Sequence, residues 1–172
     1  PAMLETSSVY IYIPDEKLKI YGDLLRIITA QSMEYFSSRP PENKQTILFC
    51  LDEFASFGKL QIVESLRKLR KRRIRILVLT QSVSDVDMIY GKDERKAMLG
   101  NFKFTVILGC KDTETQEYFS KMIGEKRSLL ATDPYQKPQP IIKPADLAHL
   151  EQDLFVICDD GAIRLQKNFY FK

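Results

Sequence analysis

The sequence contains no tryptophan and one histidine, and its longest apolar runs fall short of the roughly 18 residues that cross a bilayer. Its three cysteines, Cys50, Cys110 and Cys158, are odd in number, which argues against a disulfide framework, and they lie far apart, at spacings that fit no zinc site. They lie in or at the ends of apolar runs, so we expect buried thiols in a reducing compartment. His149 is expected at or near the surface rather than on a metal.

Glycine is also scarce, and the seven glycines build no G-x-x-x-x-G-K-[ST] loop, the backbone cradle that holds nucleotide phosphates. The sequence begins at Pro1 without a methionine, so we expect it to be part of a longer protein. A phosphate cradle must then lie upstream of Pro1, or the chain does not bind nucleotide.

Strand and helix patterns alternate along the chain, which predicts an α/β domain with a mostly parallel sheet. The 172 residues, 44 % of them hydrophobic, suffice for one core, and residues 1–172 are treated as a single domain. The predicted strands are residues 9–13, 46–51, 74–79, 104–108 and 154–158, with a hairpin return at 162–170 after Asp160-Gly161. Helices are predicted from Asp15, after Gly58, after Ser82, from Lys92 and from Thr113, where Gln116 would complete a capping pair. The proline-rich stretch 125–146 predicts a connector without a helix.

Two adjacent carboxylates, Asp52 and Glu53, end the apolar stretch 46–51. A continuous apolar run of this length is typical of a strand buried on both faces, and ligands of open α/β sheets bind beyond the carboxyl ends of the strands. Successive side chains point to opposite sides, so the two carboxylates can take different roles. Asp52 is suited to hold Mg²⁺ through the water molecules around the ion. Glu53 is suited to act as the general base, which accepts a proton from an attacking water. The alternative is a strand that ends in a solvated acidic turn.

Gln81 ends the next predicted strand, at the position comparable to that of the two carboxylates. Its amide has a donor and an acceptor, so it can bridge a γ-phosphate and the attacking water. Together the three residues favour ATP hydrolysis with Mg²⁺, since phosphoryl transfer to water needs a carboxylate-held metal and a group that orients the water. A polar residue that merely ends a strand is the alternative for Gln81.

Seven positive charges fall within the nine positions 67–75. Three interpretations stay open: a solvated helix face, a surface for nucleic-acid phosphates, or an arginine that reaches the nucleotide of a neighbouring subunit. The residues assigned to nucleic-acid binding are Arg67, Lys68, Lys71, Arg72 and Arg73.

Several short segments, in the order in which they follow one another along the chain, resemble those of the type IV secretion coupling proteins, the conjugative DNA-transfer ATPases. These segments are LDEFASFGKL at 51–60, TQS at 80–82, IYG at 89–91, YFSKMIG at 118–124 and KPADL at 143–147, followed by the hairpin. Together they cover nearly the whole chain.

The resemblance implies a RecA-like P-loop NTPase domain whose sheet is flanked by helices and ends in an antiparallel hairpin. This chain would be its second segment, from the Walker B strand onward, with the first, P-loop part missing. By its position relative to Gln81, Arg70 matches the arginine proposed to act in trans, whereas Arg73 stands where a small residue, often Gly, is common.

The resemblance also implies a homo-hexamer at the cytoplasmic face of the bacterial inner membrane, anchored by a segment outside this chain. Its partners would be a relaxase–single-stranded DNA complex or a secreted protein, and components of the type IV secretion channel. The competing interpretations are a related DNA-pumping ATPase and a non-catalytic nucleic-acid-binding or assembly module. A cradle sequence upstream would favour the motor.

Overall fold

The computed structural model describes residues 2–40, 42, 45–126 and 138–170. The chain forms two compact units, one within residues 1–81 and 85–101 and the other within 82–84 and 102–172. Over the described residues, no helix combines the length and apolar character that a membrane span requires.

The first unit is an α/β arrangement around a pair of parallel strands. Its elements in chain order are a 3₁₀ helix (Ala2–Glu5), α1 (Asp15–Ser37), β1 (Ile47–Leu51), a second 3₁₀ helix (Phe54–Phe57), α2 (Ile62–Arg70), β2 (Ile74–Val78), α3 (Val83–Tyr90, from Asp85 onward in this unit) and α4 (Lys92–Leu99). β1 pairs with β2 in parallel from Ile47↔Ile74 to Leu51↔Val78. The predicted strands at 46–51 and 74–79 are thereby confirmed.

One face of this strand pair forms the core of the unit, and the other stays open. Ile47, Leu51 and Ile74 are buried, and the fully buried Phe36 of α1 packs edge-on against Phe49 at 5.9 Å between ring centroids. Burial of such a side chain contributes roughly 1.5–3 kcal/mol.

On the opposite face Leu48 and Leu77 are largely exposed, and Cys50 is exposed beside them. The expectation of three buried thiols is therefore wrong for Cys50, because no described element covers this face. Cys158 is half-buried, and only Cys110 is buried.

The predicted strand at residues 9–13 is also wrong. This segment adopts no strand pairing, and Tyr10 and Tyr12 are 91 % and 85 % exposed. Its β-branched and aromatic residues favour a strand, but a strand exists only when a neighbour supplies backbone partners. In the described residues β1 pairs with β2 alone.

A buried arginine ties together the segments around the start of β1. The side chain of Arg39 is 3 % exposed and donates two hydrogen bonds to the Glu5 carboxylate, at 2.8 and 2.6 Å. It also donates to the backbone carbonyls of Gln45, at 2.8 Å, and Arg72, at 3.0 Å. A guanidinium so deeply buried is stable only because its charge and its donors are satisfied.

The second unit consists mainly of antiparallel strands around one helix. Its elements are β3 (Thr105–Ile107), α5 (Thr113–Ile123), β4 (Glu125–Lys126), β5 (Gln139–Pro140), a 3₁₀ helix (Pro144–His149), β6 (Asp153–Cys158) and β7 (Gly161–Gln166). β3, β6 and β7 form one antiparallel sheet, so the predicted hairpin is confirmed. Its core contains Ile107, Ile123, Leu147 and Phe155.

Two local predictions in this unit are corrected. Asp112, not Thr113, caps α5, and its carboxylate accepts hydrogen bonds from the Thr115 hydroxyl and backbone N–H. The Thr115 hydroxyl bond is the main cause of a lowered Asp112 pKa, followed by the bond from its backbone. The stretch 125–146 was predicted to lack a helix, yet a 3₁₀ helix begins at Pro144 because proline suits a first helical position. Residues 127–137 of that stretch lie outside the described residues.

Arg73 occupies the turn between α2 and β2 in a left-handed conformation, with φ of 59°. This conformation explains why a glycine suits the position, since a Cβ costs roughly 1–2 kcal/mol there.

We predict that Arg73→Gly is more stable than Arg73→Ala by about 1 kcal/mol, the reverse of the order in a helix, because only glycine relieves the backbone strain. Both variants lose the same side chain, so each is the other's control. Urea unfolding measures the difference, and an alanine variant at least as stable as the glycine variant would show that the turn is unstrained.

Candidate active site

The carboxylates Asp52 and Glu53 lie at the carboxyl end of β1, on a turn held by backbone hydrogen bonds. The Leu79 N–H donates to the Leu51 carbonyl at 3.0 Å, and the Phe54 N–H donates to the Leu79 carbonyl at 2.9 Å. Leu79, the first residue after β2, thus holds the chain on both sides of the acidic pair. Both acidic side chains are exposed, so a fixed backbone presents the two carboxylates to solvent.

Glu53 has a left-handed backbone, with φ of 47° and ψ of 51°. The Asp52 carboxylate accepts a hydrogen bond from the Glu53 N–H at 3.0 Å, which stabilises this turn. Non-glycine residues in this conformation cost of order 1 kcal/mol or more and concentrate at functional sites. The strain therefore marks the acidic turn as a candidate site independently of its composition.

Gln81 meets Glu53 directly. The Gln81 side-chain amide donates a hydrogen bond of 2.9 Å to the Glu53 carboxylate, and both side chains are exposed. The ends of two adjacent parallel strands thus bring together residues that are 28 positions apart. The contact therefore orients both side chains.

The segment after the acidic pair is fixed by Tyr90, a role that the sequence did not suggest. Its ring stacks on the fully buried Phe54 at 5.3 Å with an angle of 9° between the rings. Its hydroxyl accepts a hydrogen bond from the Leu60 N–H and donates one to the Gly58 carbonyl, each 3.1 Å long. Burial is the main cause of a raised Tyr90 pKa. The available signals were its place at the end of a short predicted helix and within the IYG segment at 89–91, and neither indicated these contacts.

The oxygen atoms at this site suit Mg²⁺ but do not enclose it. In the part of the chain that the structure describes, no three His, Cys, Asp or Glu residues cluster as a metal site. Mg²⁺ is commonly held by one or two carboxylates, with waters and substrate phosphates as the remaining ligands. Asp52 and Glu53 offer that minimal set, exposed to solvent.

Apolar surface adjoins the acidic pair. A cavity of about 550 Å³ is lined by Asp52 and Glu53 together with residues of the segment 3–13, of α1 and of β1. The carboxylates therefore border a groove whose other walls are mostly hydrophobic.

The basic residues predicted to act on phosphates are not part of the group formed by Asp52, Glu53 and Gln81. Arg70 is the exposed last residue of α2, and the described contacts do not join it to Glu53 or Gln81. Four of the residues assigned to nucleic acid line one cavity with Ser37, namely Arg67, Lys68, Lys71 and Arg72. Arg73 follows them in the left-handed turn.

Known proteins resemble this chain over most of its length. VirD4 of Agrobacterium fabrum is 23% identical over 181 residues, covering 95% of this chain and 27% of VirD4. A probable conjugal transfer protein TraG of Sinorhizobium fredii is 28% identical over 171 residues, covering 90% of this chain and 27% of TraG. The chain thus spans about a quarter of the length of these relatives.

Solved structures of the plasmid coupling protein TrwB share the fold. TrwB in complex with the GTP analogue GDPNP matches with a TM-score of 0.78 and 25% identity, covering 91% of this chain and 40% of TrwB. TrwB in complex with ADP and Mg²⁺ matches with a TM-score of 0.72 and 26% identity, covering 88% of this chain and 39% of TrwB. The RecA-like α/β fold expected from the sequence is therefore confirmed.

A family model described as the TraM recognition site of TraD and TraG matches residues 46–152, which include the acidic turn, Gln81 and the basic run at 67–75. The chain therefore belongs to this TraD and TraG family of type IV secretion coupling proteins.

Proposed function

We propose that this chain is the second segment of a nucleotide-binding domain in an ATP-hydrolysing motor that couples cargo to a type IV secretion channel. The observation that carries the proposal is the hydrogen bond between Gln81 and Glu53, formed where two parallel strands end beside Asp52. Membership of the coupling-protein family supports the same conclusion.

Each polar residue of the site has a role that follows from its chemistry and position. Asp52 would hold Mg²⁺ through water, and the metal would neutralise charge on the transferred phosphate. The carboxylate of Glu53 would accept the proton of the attacking water. The amide of Gln81 already binds that carboxylate, so it can orient the base and the water together.

The phosphates need donors that this sequence lacks. Carboxylates repel a triphosphate, and the affinity of such sites comes mostly from backbone N–H groups of a glycine-rich loop, its lysine and a helix N-terminus. We propose that the rest of the intact protein supplies this loop. The TrwB structures with nucleotide analogues, and with ADP and Mg²⁺, support ATP and Mg²⁺ as the ligands.

The intact protein would act as a homo-hexamer at the cytoplasmic face of the inner membrane, anchored by a segment outside this chain. Arg70, exposed at the end of α2, would reach the nucleotide of the neighbouring subunit. The cargo would be a relaxase–single-stranded DNA complex or a secreted protein. The conjugal-transfer names of the TraG relatives support this setting.

A recognition module without catalysis is the second candidate. The description of the family model as a TraM recognition site favours it, because that description names a protein contact and no reaction. The two candidates differ in whether the intact protein hydrolyses ATP with the help of the Glu53 carboxylate. A motor needs that carboxylate, whereas a recognition module does not.

The first prediction concerns Glu53→Gln in the intact protein. Hydrolysis of ATP should fall by roughly 10²–10⁴, because the general base is lost, while ATP binding persists. Turnover and nucleotide affinity are measured side by side, with Glu117→Gln, a change of an exposed glutamate on α5, as control. Turnover close to that of the control would remove Glu53 from this role.

The second prediction concerns Arg70→Ala in the intact protein. Its turnover should fall more than its nucleotide affinity, because an arginine acting in trans stabilises the charge that develops on the phosphate in the transition state. Mixing Arg70→Ala and Glu53→Gln subunits should restore part of the activity, since some interfaces then carry neither lesion. Normal turnover of the arginine variant, or a loss seen only for Arg72 or Arg73, would contradict the assignment.

The third prediction concerns the isolated 172-residue chain. It should not bind Mg-ATP, and it should self-associate, because the apolar residues Leu48, Leu77, Val106, Ile163 and Leu165 are largely exposed on its sheets. Titration calorimetry and sedimentation velocity test both points. Micromolar nucleotide binding by a monomer would contradict the need for a cradle from elsewhere.

A further inference from the structure

The left-handed backbone of Glu53 needs structural support on both sides of the residue. Its φ of 47° and ψ of 51° lie in a region that residues other than glycine avoid, and such strain persists only where the surrounding structure over-determines it. On the N-terminal side the support is the Leu79 N–H, which binds the Leu51 carbonyl at 3.0 Å. On the C-terminal side the next residue is Phe54, so the groups that hold Phe54 also determine the conformation of Glu53.

Tyr90 holds the C-terminal side of the acidic turn at three points. Its ring stacks on the fully buried ring of Phe54, with 5.3 Å between the ring centroids. Its hydroxyl accepts a hydrogen bond from the Leu60 N–H and donates one to the Gly58 carbonyl, each 3.1 Å long. Tyr90 is buried, so water does not readily replace these two bonds. One side chain therefore fixes both the residue after Glu53 and the end of the segment that follows it.

The segment that Tyr90 holds has little stability of its own. It is the 3₁₀ helix Phe54–Phe57, whose four residues form bonds of poorer geometry than those of an α-helix. The Ser56 N–H of this helix donates to the Glu53 carbonyl at 2.8 Å. The carbonyl of Glu53 is thus part of the helix, and a shift of the helix would rotate the backbone of Glu53.

Tyr90 is supported in turn by a largely buried ion pair. α3 ends at Tyr90, and α4 begins after Gly91, whose φ of 78° lets the chain turn between the two helices. The Arg95 guanidinium of α4 donates to both oxygens of the Asp87 carboxylate of α3, at 2.6 and 3.2 Å. A two-bond pair of this kind fixes geometry as well as charge. The corner between α3 and α4 is therefore a rigid support for the tyrosine.

Packing alone does not explain a tyrosine at this position. Phenylalanine would fill the same space and keep the stack on Phe54, but it would leave the Leu60 N–H and the Gly58 carbonyl without their partner. Burial raises the pKa of Tyr90, so its hydroxyl stays protonated and continues to donate to Gly58. The hydroxyl therefore serves the backbone beside the acidic pair.

We propose that Tyr90 is a positioning residue for hydrolysis, which keeps Glu53 left-handed and its carboxylate within a hydrogen bond of the Gln81 amide. The inference rests on the proposed function and adds to it a residue outside the acidic group. Tyr90 acts through Phe54 and the backbone of Gly58 and Leu60, so it affects the base without contacting the nucleotide.

The test compares ATP turnover and nucleotide affinity of the intact protein with those of Tyr90→Phe. The kcat should fall about tenfold, less than the roughly 10²–10⁴ expected for loss of the base, while nucleotide affinity changes by less than about twofold. The matched control is Tyr35→Phe, which removes the hydroxyl of an exposed tyrosine in the same unit and keeps its ring contact with Phe36. A kcat equal to that of the control would overturn the proposal.

A double variant separates positioning from a general loss of folded protein. With Glu53→Gln no base remains to be positioned, so adding Tyr90→Phe should lower the residual turnover by less than about twofold. A loss of about tenfold in both backgrounds would overturn the proposal, because coupling between the two residues would then be absent. Glu53→Gln alone tests the proposed function: normal turnover of that variant contradicts hydrolysis and positioning together, whereas a loss for Glu53→Gln without one for Tyr90→Phe contradicts positioning alone.

Hydrogen exchange measures the structural step without nucleotide. In the intact Tyr90→Phe protein, peptides covering residues 54–60 should exchange about tenfold faster than in the unsubstituted protein, because the segment opens more often. Peptides of α5 (Thr113–Ile123) should keep their exchange rate and serve as the internal control. Unchanged exchange over residues 54–60 would overturn the proposal, whatever the turnover.

Discussion

The backbone of Leu79 binds the chain on both sides of Asp52 and Glu53, through Leu51 and Phe54. The geometry of the acidic turn depends on this constraint. It bends the chain sharply after β1, places Glu53 in a left-handed conformation and brings Gln81, two residues after Leu79, within a hydrogen bond of the Glu53 carboxylate. The stack of Phe54 on Tyr90 then holds the segment that follows. A fixed backbone thus presents exposed side chains. A site that binds a ligand from solution needs such an arrangement.

The same unit carries a second, oppositely charged feature. Buried Arg39 fixes the turn after α2 through the Arg72 carbonyl, so the cavity lined by Arg67, Lys68, Lys71 and Arg72 is positioned by packing rather than by its own charges. Acidic and basic groups therefore belong to two separate clusters, each with its own structural support. In our account, the acidic cluster serves hydrolysis.

Sequence patterns predicted the placement of Asp52, Glu53 and Gln81 at the ends of two adjacent strands better than they predicted the structure around these residues. The apolar run 46–51, followed by two carboxylates, indicated β1 and the acidic turn because burial and chemistry are both encoded locally. The strand at 9–13 failed because pairing depends on a neighbour, which local propensity does not reveal. Cys50 was expected to be buried, but the face it occupies has no described cover. The roles of Tyr90 and Arg39 depend on contacts between residues 30 or more positions apart, such as Tyr90 with Leu60 and Arg39 with Glu5, which no local pattern predicts.

The central claim is that the ends of β1 and β2 form the hydrolytic side of a nucleotide site. A structure of the intact protein with Mg²⁺ and a non-hydrolysable ATP analogue tests it most directly. The account predicts Asp52 in the hydration shell of the metal, and a water within about 3 Å of both the Glu53 carboxylate and the Gln81 amide, facing the γ-phosphate. A γ-phosphate bound away from these strand ends, with Glu53 and Gln81 still joined only to each other, would contradict it.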